Sequence, residues 1–132
     1  MVEAEIPEPV RAFIAAHIDS VVQLEILLLL HQSSSRAFAA EDVARELRIE
    51  PAWAGPCLAD LSARGMLVAG DGADPKYRFQ PSSPGLQETI DQVSVAYATH
   101  RVRVTTLIFA KPPGALRSFS DAFRIRRDRS NG

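Results

Sequence analysis

The sequence predicts a mainly helical fold with one small β-hairpin and a long C-terminal helix. Three observations lead there. Two short amphipathic segments flank the breaker Ile49-Glu50-Pro51; the turn-forming stretch GDGADP separates two runs with strand patterning; and a heptad-like seam runs through the last third of the chain. With 132 residues, 46% of them hydrophobic, the chain can bury a sizeable core as one compact unit.

Near the start, Pro7 and Pro9 suit the turn before a helix, and Phe13, Ile14, Ile18, Val21 and Val22 follow at helical spacing up to the apolar block ending at Leu30. Ser20 is a credible N-cap, which leaves open one bent helix or two. HQSSSRAFAA reads as a loop. A helix over residues 40–48 then turns Val43, Ala44 and Leu47 inward and its charged residues outward. Pro51 suits the first position of the next helix, whose inward face is expected to be Trp53, Cys57, Leu58 and Leu61, with Gly65 as the residue after its end. Pro56 would cost an uninterrupted helix ~3 kcal/mol, so the helix is expected to begin at Gly55-Pro56 or to kink there. Residues 66–69 and 76–80 read as the paired strands.

The seam consists of Leu86, Ile90, Val93, Tyr97, His100, Val104 and Leu107, separated by alternating fours and threes and introduced by Ser83-Pro84. Because it continues through the β-branched stretch VRVTTLI, that stretch is read as helix, with Pro112-Pro113 as the stop. Such a seam packs on its own core or on a second copy. Homodimerisation is the use that would place two copies of the preceding domain about a two-fold axis. The expected organisation is residues 1–81 as the head (its two-helix motif at about 40–65 and its hairpin at about 66–80), 82–112 as a dimerisation helix and 113–132 as a basic tail.

EDVARELRIEPAWAGPCLADLSARGMLV, followed by YRF, resembles the winged helix-turn-helix of small bacterial transcriptional regulators over roughly residues 20–80. The resemblance implies that Val43, Ala44 and Leu47 hold the first helix of the motif, that Leu58 and Leu61 hold the second, and that Gly65-Met66-Leu67 leads into the wing. It also implies a protein that binds double-stranded DNA; the dimer is expected from the seam, and a cytoplasmic protein from the lack of a secretory signal or membrane run.

A reading helix needs Arg, Lys, Asn or Gln aimed at base edges, with cations on phosphates. The second helix offers little: Ala52, Gly55, Pro56, Ala59, Asp60, Ser62 and Ala63 on its outer side, and Arg64 at its end. In the wing, Lys76 and Arg78 alternate onto one face and Tyr77 and Phe79 onto the other, while Asp71 and Asp74 at the tip oppose phosphate. The tail adds Arg124, Arg126 and Arg127 beside Phe119, Phe123 and Ile125, a pattern open to backbone contacts or to packing on the body. The expected DNA contacts are therefore Ala52, Gly55, Ala59, Arg64, Lys76, Arg78, Arg124, Arg126 and Arg127. The rival expectation is an adapter whose bare helix face and basic tail engage a protein.

Charge supports only part of this. Formal net charge is −1, with −5 on residues 1–50 and +4 on residues 111–132, so attraction to an anionic partner should come mainly from the tail. Ile26 to Leu30 is too short an apolar run to span a bilayer, and the acidic start MVEAEIPEPV is unlike a secretory signal. Cys57 has no second cysteine to pair with and is expected to face inward. His17, His31 and His100 lack neighbouring ligands at metal spacing, and no phosphate loop, nucleophile elbow or catalytic carboxylate pair is present. No metal, cofactor or enzymatic activity is expected.

Overall fold

A computed structural model describes residues 6–110. The helices are α1 (Glu8–His17), α2 (Val21–Gln32), α3 (Ala40–Leu47), α4 (Pro51–Ala63), α5 (Pro84–Thr99) and α6 (Arg101–Ala110), with β1 (Leu67–Ala69) and β2 (Tyr77–Phe79) between α4 and α5. Lys111 onward lies outside the described residues, including the Pro112-Pro113 stop and the tail arginines Arg124, Arg126 and Arg127 with Phe119, Phe123 and Ile125.

The N-terminal region resolves into two helices. Extended backbone at Ile18 ends α1, and Ser20 caps α2 by accepting from the Gln23 amide at 3.1 Å, so the pair bends by 115°. Among the described residues no single helix is long and apolar enough to cross a membrane. α2 is instead the central helix: Leu24, Ile26, Leu27 and Leu30 are fully buried, and α3, α4 and β2 pack around it. Such all-round burial explains why its apolar residues run together instead of following one stripe.

In α3, Val43 and Ala44 are buried and Leu47 packs on the core, as the 3.6-residue spacing predicts. Asp42 reaches back to accept from the Ala39 amide at 2.9 Å, satisfying a donor at the helix start. Arg48 ends α3 in the left-handed region, φ 59°, and makes the turn toward α4.

The inward face of α4 differs from expectation. Ala54, Leu58 and Leu61 are fully buried at i, i+4 and i+7, whereas Trp53 is 57% exposed and Cys57 half-buried. A one-residue error in placing a helical stripe rotates it by ~100°. Trp53 drew the expected face toward itself because it is the most apolar-looking residue in the stretch. Small Ala54 is the residue that lets α4 approach its neighbours. Nor does α4 start at Gly55: it runs through Pro56, which is exposed, as is Ala52, whose carbonyl the proline leaves without its helical donor. Water can satisfy that oxygen. Gly65 follows the helix with φ 86°, a left-handed conformation that favours glycine.

The strands pair antiparallel, Leu67 with Phe79, Val68 with Arg78 and Ala69 with Tyr77. A third piece of sheet joins them from the serine-rich loop: Phe38 N donates to Tyr77 O, and Tyr77 N to Phe38 O, both at 2.7 Å. Phe38 is fully buried.

The C-terminal helix is broken, contrary to the single long helix expected. His100, with φ −137° and ψ 52°, separates α5 from α6. The break lets both halves pack on α1. It also shifts the seam: Ile90, Val93, Tyr97 and Val104 are buried within the chain, Leu86 and Leu107 are half-buried against the core, His100 sits at the break, and Ile108 rather than Leu107 completes the inward face. The seam is thus core rather than free surface. The outward residues are Val95, Val102 and Phe109, 63%, 75% and 77% exposed.

Candidate nucleic-acid interface

The expected reading surface is α4 with the hairpin beside it, held by contacts between α4 and β1. Ala52, Pro56, Ala59 and Ala63 are exposed along the outer side of α4, Gly55 is half-buried, and Trp53 stands on the flank. None of these side chains has a hydrogen-bonding group for a base, apart from the Trp53 indole N–H.

Arg64 is not available for that task. Its Nη1 donates to His17 O at 2.9 Å and Ala16 O at 3.4 Å, Nη2 to Asp19 Oδ2 at 3.3 Å, and Nε pairs with Asp60 Oδ2 at 2.9 Å. Beneath it, buried Gln23 donates from Nε2 to Asp60 Oδ2 at 2.6 Å and accepts from the Asp19 amide at 2.6 Å. The guanidinium therefore carries the end of α4 onto the α1–α2 corner, satisfying the last carbonyls of α1, instead of pointing at DNA. Asp60 lies one turn back on α4 itself, whereas only the bend between α1 and α2 brings Asp19 and the two α1 carbonyls to the arginine.

The hairpin follows the expected alternation. Lys76 and Arg78 are exposed, and Tyr77 and Phe79 are buried beneath them. Asp71 and Asp74 are exposed on the connecting loop. Near the start of α3, the Ala39 amide hydrogen bond, together with Arg45, Arg36 and Lys76, holds the Asp42 carboxyl below its ordinary range despite some desolvation. Arg36 also lies 4.2 Å over the Phe38 ring. Sequence reasoning missed Phe38; its only signal was one aromatic between alanines in an otherwise polar loop. Arg48, exposed on the turn into α4, is a further cation near the surface.

Other candidate groups serve structural ends. Burial, and then the neighbouring Asp60 charge, push the Cys57 thiol up, away from a reactive thiolate. His31 Nε2 lies 2.8 Å from Asp91 Oδ1, and its ring meets Phe79 edge-on at 5.1 Å, joining α2 to α5 and the hairpin. Among the described residues no three His, Cys, Asp or Glu side chains converge to hold a metal. Glu25, which the sequence left as an edge residue or a partnered acid, accepts from Tyr97 Oη at 2.7 Å, and Arg101 sits 4.6 Å over the Tyr97 ring.

Desolvation, the hydrogen bond to Glu25 and that carboxylate's charge raise the Tyr97 phenol from 10.0 to about 12, only partly opposed by Arg101. The folded state thus holds this proton more tightly than the unfolded chain. Its stabilising contribution is complete below pH ~10 and is lost as pH rises toward 12. Tyr97→Phe is expected to flatten that alkaline limb in unfolding midpoints measured against pH. An unchanged limb would contradict the assignment.

A helix, a turn and a second helix packed beneath α2, followed at once by an antiparallel hairpin whose apolar side returns to the same core, settle the architecture. It is a winged helix-turn-helix. Two solved structures are similar to the chain. One is the adhesin competence repressor AdcR of Streptococcus pyogenes, at 18% identity over 86% of this chain and 83% of that one, with a TM-score of 0.48. The other is RV1404 of Mycobacterium tuberculosis, at 15% identity over 88% and 81% respectively, also with a TM-score of 0.48. Neither a family model nor a curated protein matches the sequence.

Proposed function

We propose that this winged helix is a DNA-binding transcriptional regulator that acts as a dimer. The observation that carries the reading is the hairpin: Lys76 and Arg78 are exposed, while Tyr77 and Phe79, which alternate with them, are buried against the core. Phosphate contacts of this kind fix a head on a duplex and supply most of its affinity. Ala52, Gly55 and Ala59 would then lie against the groove, with Arg124, Arg126 and Arg127 as additional backbone contacts. A second copy would meet Val95, Val102 and Phe109, not the buried seam. These are apolar side chains that a symmetric interface would take out of water.

Binding to duplex DNA should be weak and should fall as salt is added. Replacing Lys76 and Arg78 together by Ala is expected to reduce the slope of log affinity against log salt by roughly two for each bound protomer, and so by roughly four for the dimer, at about 0.9 for each phosphate no longer neutralised. An unchanged slope would remove the wing from the interface.

A second reading, a protein-interaction adapter, is favoured by one observation: Trp53 exposes 57% of its surface on a helix face with few hydrogen-bonding groups. Absence of DNA binding even at low salt would select it.

A further inference from the structure

The turn between α3 and α4 is Arg48-Ile49-Glu50, and Arg48 opens it with φ 59° and ψ 48°. Among the described residues it is the only non-glycine residue with positive φ. A Cβ is crowded in this left-handed region, so helix ends and helix-turn-helix turns ordinarily place glycine or asparagine there. The bonds that close the turn come from the backbone alone: the Arg48 and Ile49 amides both donate to Ala44 O, the latter at 3.0 Å. Glycine would make the same two bonds with less strain. The arginine side chain is exposed and, among the described residues, makes no hydrogen bond, ion pair or ring contact. Neighbouring arginines are engaged: Arg36 lies over Phe38 and 3.9 Å from Glu46, Arg45 is 2.8 Å from Asp42, and Arg64 is held at the α1–α2 corner. Strain kept at a residue whose side chain does nothing for the fold points to use by something outside the chain.

We infer that Arg48 is a DNA-phosphate contact, set at the opposite end of α3 from the hairpin cations. This rests on the DNA-binding reading above. The Phe38–Tyr77 bridge sets the hairpin beside the start of α3, where Lys76 is close enough to help lower the Asp42 carboxyl. Arg48 stands at the other end. α3 has eight residues, so ~12 Å separates its two ends. The major groove is about as wide, ~12 Å. Arg48 and Lys76 therefore suit phosphates on the two edges of a groove, and α4, which follows the turn directly, is the helix that would enter it. Glu50, exposed in the same turn, forms no ion pair with Arg48 and only tempers the local positive field.

The test measures affinity for a nonspecific duplex by fluorescence anisotropy across a salt series, alongside thermal midpoints. Arg48→Gly and Arg48→Asn both remove the charge with residues that suit the left-handed turn. Each is expected to hold or raise the midpoint. Each should also reduce the slope of log affinity against log salt by about 0.9 for each bound protomer, one phosphate no longer neutralised. Arg48→Lys, which keeps a cation, should retain the slope. Arg45→Gln removes the same charge one turn back, from a side chain held by Asp42, and should leave the slope unchanged. An equal loss in Arg45→Gln would reduce the effect to net charge and overturn the contact. An unchanged slope in the glycine and asparagine variants, with the duplex still bound, would overturn it too and leave DNA binding intact. A lower midpoint in both variants would show that the side chain holds the turn, and would overturn its assignment to phosphate. No binding to any duplex at low salt would overturn both readings and leave the protein partner.

Discussion

Phe38→Ala is expected to destabilise the fold by ~3–5 kcal/mol, the range for removing a large aromatic from a close-packed core. The ring is fully buried, and its backbone makes both hydrogen bonds that tie the loop before α3 to Tyr77. Losing the ring opens a cavity and loosens the strand that presents Lys76 and Arg78 on either side of Tyr77. It also deprives Arg36 of the surface it stacks on. Urea unfolding should show a lower midpoint at unchanged slope. A loss below ~1 kcal/mol would mean that Phe38 is not core, because surface substitutions rarely cost more.

Gln23→Leu is expected to cost ~1–3 kcal/mol although the volumes nearly match, because it leaves polar partners without their hydrogen bonds. Gln23 is 4% exposed and joins the Asp19 amide to the Asp60 carboxylate, which in turn holds Arg64. The network fixes the far end of α4 to the corner between α1 and α2. A double-mutant cycle with Asp60→Ala separates network from packing. Coupling should exceed ~0.5 kcal/mol, while additivity would show that the two side chains act independently. The same variant should weaken DNA binding through the angle of α4, with the salt slope unchanged because both wing cations remain.

Local signals carried far in this sequence. Ser20, the Ile49-Glu50-Pro51 breaker, Gly65 and the alternation from Lys76 to Phe79 each have a local physical cause, and each lies where that cause puts it. What could not be read depended on approach between distant segments. Trp53 and Ala54 are adjacent on a helix, and only the closeness of packing on α4 decides that the smaller one goes in. The seam was correctly periodic, but periodicity does not say whether its partner is a second chain or α1 of the same chain; the break at His100 decides for α1. Arg64 looked like a DNA contact because, apart from Asp60 one turn back, the groups that hold it lie more than forty residues away in sequence. Phe38 looked like loop because its strand partner is equally remote.

The central claim is that α4 and the hairpin form one surface for duplex DNA. Amide chemical-shift mapping during titration with a nonspecific duplex at low salt tests it most directly. Perturbations are expected on residues 52–63 and 76–78, fading as salt is added, with α2 unaffected. A spectrum that does not change, or changes confined to α5 and α6, would contradict it.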